Sequence, residues 1–275
     1  MYSTTLSFQT ATGSSSSSAA ERVISVCIAG ATGWTGRALV PAVVAAPDLE
    51  LVAAVSRSTA GRDLGEVLDS TAMGVPVYGR VAEALDGVDV LVDYTSATAV
   101  KRNVTAAVAA GVGVVVGSSG LTAVDFAEID AAARERSVGV VASGNFSLAA
   151  AMFQASALLA ARHLPYWEII DYASEAKPDV PSGTYRELAE RLADVRQPEA
   201  AHPIEDLEGP KEARGAKIGG GQIHSVRLPS FVVSTEVVFA RPDERLTIRH
   251  DAGGTPQPYV EGTLLAVRRC PSWSG

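Results

Sequence analysis

Cysteine is nearly absent from this chain. Cys27 and Cys270 are the only two, and their separation gives no disulfide framework and no metal-binding pattern. Their scarcity points to a reducing compartment, with the cytoplasm as the expected location. Histidine is sparse as well: His163, His202, His224 and His250 form no HxH or HExxH pair, so no metal site is expected. Positive charge is in short supply. Lys and Arg total 23 against 31 for Asp and Glu, a formal net charge of −8. An acidic chain without a basic run is a poor partner for nucleic acid or an anionic membrane. Long apolar runs are also missing. The most apolar stretch, 148–164, is interrupted by Gln154, Ser156, Arg162 and His163, which fits a buried amphipathic helix better than a bilayer span.

What remains is a chain of 275 residues, 47 % of them hydrophobic, which is enough apolar material for a full core in one or two domains. Residues 1–21 are Ser/Thr-rich, contain the run Ser14 to Ser18, and read as a disordered tail. The tail has neither the charged start nor the apolar stretch of a secretory signal, and it lacks the Arg of a transit peptide.

From Val23 onward the chain alternates. Strands are expected at 23–28, 51–55, 75–78, 88–93, 113–116 and 138–142, with helices at 38–46, 81–85, 97–110 and 123–136 between them. This rhythm predicts an α/β fold, an N-terminal Rossmann-like doubly wound parallel sheet over 22–147. After Asn145 the rhythm changes. A long helix at 148–164 leads to a strand at 167–172, a Pro/Ser/Gly-rich loop, and a helix at 185–194. Runs with β character at 221–227, 232–240 and 245–250 predict an antiparallel sheet. This makes a C-terminal α+β domain over 148–255 for substrate and oligomerisation, while a last helical stretch within 256–275 returns to the first domain.

The chemistry starts at Gly30, Gly33 and Gly36, with Thr32, Trp34 and Thr35 between them. They sit where the first strand meets the first helix, so the backbone can turn tightly and a phosphate can approach the helix N-terminus. A purely structural turn is the alternative. NAD-preferring sites place Asp or Glu at the end of the second strand, but here Ser56 and Arg57 stand there. A guanidinium suits a 2′-phosphate, so NADPH/NADP is the preferred cofactor, with NADH possible. If Arg57 is only a solvated loop charge, that preference falls. Three further segments follow strand C-termini, where open α/β sheets bind ligands: Tyr94 and Thr95; Gly117, Ser118 and Ser119; Asn145 and Phe146.

In the second half, Lys177 precedes Pro181-Ser182-Gly183-Thr184 at a helix start. Backbone N–H groups and hydroxyls there make an anion site suited to a substrate carboxylate, and Lys177 is placed to donate a proton. A capped helix after a Pro-rich turn is the plainer alternative.

On these motifs, in this order, the chain resembles the dihydrodipicolinate reductase family from Val23 to the last helix. Glu168-Ile169-Ile170 and His224-Ser225-Val226-Arg227 add to the match. The resemblance implies hydride transfer from a nicotinamide to a cyclic C=N bond, a homo-oligomer (tetramer or dimer) built on the C-terminal sheet, and a lysine at the position of Lys177 working beside a histidine. The chain departs from the family there. Ala173 stands where the resemblance implies the catalytic histidine, Ser174 where it implies a neighbouring one, and Glu175 brings negative charge to a segment otherwise cationic. Trp34 replaces the glycine-loop arginine, and the stretch 253–262 does not follow the family pattern.

Three functions follow as expectations. The first is an imine reductase or amine dehydrogenase acting on a less anionic imine, iminium or amine, with Lys177 and Glu175 catalytic and Ser174, Ser182, Gly183 and Thr184 binding substrate. The second is the family's own reaction in lysine biosynthesis. The third is a non-catalytic NADP-binding structural or assembly protein. A sugar dehydrogenase, suggested by Glu175-x-Lys177-Pro178, fits the downstream Ser-Gly-Thr motif less well.

Overall fold

The computed structural model describes residues 22–274, so the expected tail at 1–21 lies outside the described residues. The first half is built on a parallel sheet of six strands. These are β1 (Ile24–Ala29), β2 (Leu49–Val55), β3 (Val77–Tyr78), β4 (Val90–Asp93), β5 (Gly113–Val116) and β6 (Val140–Ala142). Their spatial order is β3-β2-β1-β4-β5-β6, so the chain switches direction across the sheet between β1 and β4. β4 and β5 are buried at every position, as apolar strands covered on both faces should be. Between the strands run α1 (Gly36–Ala45), the short α2 (Leu64–Val67), α3 (Val100–Ala109) and α4 (Ala123–Arg136). α4 begins in a reciprocal capping box of Thr122 and Asp125 and ends at Ser137 in the left-handed conformation. The expected helix at 81–85 is a single 3-10 turn, Val81–Glu83. The turn at Gly87 follows too closely for a helix to nucleate.

The second half holds α5 (Leu148–Ala161), β7 (Tyr166–Ala173), α6 (Gly183–Val195), β8 (Ala216–Ile218), β9 (Gly221–Arg227), β10 (Val233–Arg241) and β11 (Glu244–Ala252). Its sheet has the order β11-β10-β7-β9-β8 and is mixed, which corrects the expectation of an antiparallel sheet. β7 and β9 pair in parallel because the chain between them crosses over through α6. β8, absent from the sequence reading, is a three-residue edge strand. One face of this sheet packs on α5 and α6 through Phe153, Trp167, Ile169, Leu188, Val237 and Phe239. The other presents Glu168, Ile170, Tyr172, His224 and Val238, none of them fully buried.

α7 (Val260–Arg269) packs on the first sheet. Val260, Leu264, Val267 and Cys270 join the core formed with β1, β2 and α1. Arg268 clamps Asp48 through two hydrogen bonds, of 2.6 and 2.9 Å. Both cysteines are buried, and burial pushes each thiol up to about 12, which removes them from redox chemistry at neutral pH. Among the described residues no helix is long and apolar enough to cross a membrane, and no His, Cys, Asp and Glu cluster could hold a metal ion.

Candidate functional site

The glycine loop is shaped by close backbone approach. Gly30 has φ +84°, and a Cβ there would sit 2.3 Å from the Tyr94 carbonyl oxygen. A Cβ on Gly36 would sit 2.1 Å from the Gly30 carbonyl. A side chain at Gly30 would drive the loop away from the end of β4, and one at Gly36 would collide with the loop itself. α1 then starts with no side-chain cap from Thr35 and no acid in its first turn. Arg37 and Ala38 N–H already donate to the Gly33 and Thr35 carbonyls, at 3.0 Å each, so the N–H groups left for an external acceptor are those of Trp34, Thr35 and Gly36, and the chemistry of this turn fits a dinucleotide phosphate. Trp34 is 57 % exposed and stands edge-on to Tyr259, ring centroids 6.0 Å apart.

At the end of β2, Ser56 is buried and its hydroxyl lies 3.2 Å from that of Thr32. Arg57 is exposed and makes no ion pair among the described residues. No carboxylate follows β2 directly, consistent with the sequence reading of this corner.

The loops after β4 and β5 are tied together by Asp93. Its fully buried carboxylate accepts from the Thr95 hydroxyl at 2.8 Å, the Ser118 hydroxyl at 2.6 Å and the Asn103 amide at 2.8 Å. The Thr95 and Ser118 hydroxyls are thereby turned inward, and these two residues shape the loops that a cofactor would meet. Tyr94 packs its ring under Gly117 and exchanges a 2.9 Å hydrogen bond with Thr263 of α7. Burial raises the Tyr94 phenol to about 12. Asn145 uses its side-chain oxygen to accept from the Ser147 N–H at 2.8 Å, while Phe146 is buried edge-on to Tyr94. α7 passes so close that a Cβ on Gly262 would lie 1.8 Å from the Phe146 carbonyl. Ser119 stays exposed.

Across the cleft, the segment around the start of α6 differs from its expected role. Ser182 does not offer its donors outward. Its N–H and hydroxyl both go to the buried Asp171, at 2.8 and 2.9 Å, because a fully buried carboxylate must be compensated. Arg227 completes the compensation, donating to the same carboxylate at 2.7 Å and to the Asp179 carbonyl at 2.7 Å. Gly183 N–H donates to the Asp179 carboxylate at 3.2 Å. Lys177 pairs with that carboxylate at 2.9 Å, and its hydrogen bond holds Asp179 below the usual carboxylate range. Thr184 lines the cleft cavity, whereas Lys177, Ser182 and Gly183 do not. Glu175 is exposed, accepts from Ser174, and does not line the cavity either.

That cavity, of about 270 Å³, lies where the glycine loop, α5, α6, β10, β11 and the approach to α7 converge. Trp34, Asn145, Thr184, Tyr185, His250 and Tyr259 line it, and none of its lining residues is Lys, Arg, Asp or Glu. A larger hollow, of about 780 Å³, lies on the outer face of the second sheet beside Glu168, Arg214 and His224. It is remote from the glycine loop and from the start of α6, and the smaller cavity is the one placed for chemistry.

The sequence reading missed Asp171 with Arg227, and His250. A signal for Asp171 was present: it shares the inward parity of β7 with Trp167 and Ile169, and an acid at an inward position demands a partner.

A doubly wound sheet with an uncapped, glycine-bound helix start at its switch point, facing a second domain across a small cavity, defines a dinucleotide-dependent oxidoreductase. Comparison with known proteins narrows this. The family model for the dihydrodipicolinate reductase N-terminus matches residues 24–146, and that for its C-terminus matches 146–273. The chain belongs to the dihydrodipicolinate reductase family. It is 36 % identical over 254 residues to 4-hydroxy-tetrahydrodipicolinate reductase of Desulfitobacterium hafniense, covering 91 % of this chain and 95 % of the relative. The enzyme of the same name from Thermosynechococcus vestitus is 37 % identical over 253 residues, covering 90 % and 91 %. Among solved structures, dipicolinate-bound dihydrodipicolinate reductase from a Paenisporosarcina species superposes with a TM-score of 0.81 at 28 % identity, covering 92 % of this chain and 96 % of that one. The protein is therefore an NAD(P)H-dependent oxidoreductase of this family.

Proposed function

We propose that this chain reduces 4-hydroxy-tetrahydrodipicolinate with NADPH, the reaction for which its relatives are named. What carries the reading is similarity at 36–37 % identity across both domains. Bound NADPH supplies the hydride. The chain's own residues orient the two partners and manage charge. The N–H groups of Trp34, Thr35 and Gly36 at the turn into α1 take the cofactor phosphates, and the exposed Arg57 takes the 2′-phosphate. The Thr184 end of α6 holds a substrate carboxylate, with Lys177 swinging from Asp179 to meet it. The outer face of the second sheet, with Ile170, Tyr172 and Val238 covered by neither α5 nor α6, suits assembly with further copies in the cytoplasm.

A second reading keeps the chemistry and changes the substrate to a less anionic imine or amine. It is favoured by the uncharged lining of the cavity and by Ala173, 1 % exposed where the resemblance implies a histidine. Glu175, exposed and outside the cavity, does not support its expected part in this reading.

The experiment is NADPH oxidation followed at the nicotinamide absorbance, with the diacid beside cyclic imines and ketone–amine pairs. Turnover of the diacid, reduced in Lys177→Ala, supports the main reading. Turnover of the panel alone establishes the second. Tight NADPH binding with no turnover defeats both and leaves a binding protein. In the same preparation, Arg57→Ala is expected to weaken NADPH about tenfold and leave NADH unchanged, since a charge-assisted contact is worth about 1.5–3 kcal/mol.

A further inference from the structure

A row of polar side chains on the inner face of the second sheet serves no purpose described so far. The register of β9, β7, β10 and β11 aligns Ser225 with Asp171, Asp171 with Thr235, and Thr235 with His250. The row therefore runs from the buried Asp171–Arg227 pair to the cleft. At its centre Thr235 is fully buried, and its hydroxyl has no hydrogen-bond partner. The Tyr185 phenol from α6 lies beside that hydroxyl and is a candidate partner for it. A buried, unpaired hydroxyl next to a second one is costly unless something else uses it. At the end of the row His250 is half-buried, its ring tilted against Phe153 of α5 with centroids 6.2 Å apart. It shares the cavity lining with Thr184 and Trp34, and it is the only residue of that lining whose ordinary pKa lies near neutrality.

We propose that His250 is the catalytic proton donor of the cleft, in place of the histidine absent at Ala173, and that Thr235 and Tyr185 are positioning residues that fix its ring. The proposal rests on the reductase reading above and assigns a role within it. Reduction of C=N adds a hydride, supplied by the reduced nicotinamide, to carbon. The π pair moves to nitrogen and takes a proton, which the imidazolium of His250 gives up and regains from solvent. Lys177 is less suited to the task, since its ammonium is paired with Asp179 outside the cavity lining.

The surroundings set the pH response. Thr235 is paired with His250 across the two strands, Asp171 and Arg227 lie beyond it along the row, and Tyr185 and Tyr259 share the cavity lining with the ring. α5 carries no ionisable side chain, and Arg249 and Asp251 pair with each other on the opposite face of the sheet. Burial holds His250 below its ordinary value, with Asp251 acting weakly in the other direction. An anionic ring bound in the cavity favours the imidazolium and raises it.

Two measurements test this on the full chain. In the first, kcat and kcat/KM are followed against pH for the wild type, His250→Asn and Thr235→Val. The expected result is a kcat lower by about 10²-fold or more in His250→Asn with KM little changed, and loss of the limb along which activity falls as pH rises. Thr235→Val is expected to lower kcat by less than His250→Asn does and to move that limb. In the second, the His250 imidazole is titrated by NMR in the protein alone and with NADP⁺ and dipicolinate, and its pKa is expected to rise with ligand. A His250→Asn enzyme with wild-type rate and pH profile overturns the assignment while leaving the reductase reading intact. So does an imidazole whose titration is unchanged under saturating dipicolinate. A wild type inert toward every imine overturns the reductase reading and the donor role with it. Absence of both turnover and dipicolinate binding overturns both.

Discussion

Asp93, at the end of β4, and Asp171, near the end of β7, are both fully buried beside the cleft, yet the two domains compensate them differently. Asp93 is met only by neutral donors: the Thr95 and Ser118 hydroxyls, the Asn103 amide and the Thr95 N–H. Asp171 is met by a guanidinium, with Ser182 and Ser225 in support. On the nucleotide side, a single carboxylate staples two loops without placing a fixed cation in the sheet. On the substrate side, the pairing consumes Arg227 and Ser182, two groups that would otherwise bind an anion. The comparison explains how a segment that reads as an anion site from its residue types presents a cavity lined without charge.

The sharpest way to break the contrast is Arg227→Met. It leaves the Asp171 carboxylate buried without its cation, and breaking such a pair costs about 3–5 kcal/mol. A urea or thermal unfolding curve should show that loss, and a change under 1 kcal/mol, on the order of a surface pair, would mean the pair is solvated. Asp93→Ala tests the other side. It strips several neutral donors of their acceptor, at about 1–3 kcal/mol, and it should also loosen NADPH binding measured by nicotinamide fluorescence because both loops lose their staple. Stability lost with unchanged affinity would show that the loops hold their shape without Asp93.

The smallest effect concerns acid. Lys101 and the Thr122 cap lower Asp125 from 3.8 to about 2, and the hydrogen bond from Arg268 lowers Asp48. Depressed carboxylates contribute stability at pH above their ordinary range and lose it as pH falls through the lowered values. A modest decline in melting temperature is therefore expected below about pH 4, flattened in Asp125→Asn, and no such flattening would remove Lys101–Asp125 from the account.

How much of this was legible differs between the halves. The parallel sheet and the glycine loop are carried by local signals: continuous apolar runs, helical periods and glycines where Cβ atoms would collide. Strands β5 and β9 and helix α4 fall on their expected residues. In the second half the strands were visible but their partners were not. Parallel pairing of β7 with β9 depends on a crossover between distant segments, and strand register is a non-local property. The site divides in the same way. Gly30 and Gly36 declare themselves, whereas Tyr94 finds Thr263 across 169 positions and Arg227 finds Asp171 across 56.

The sequence by itself determined the nucleotide half and the class of cofactor, because tight turns and buried strands are requirements of the local backbone. Only the tertiary structure decided which donors remain available to a substrate. Charge and hydrogen-bond compensation depend on distance in space, and Asp171 claims Ser182 and Arg227 while the sheet register delivers His250 to the cleft.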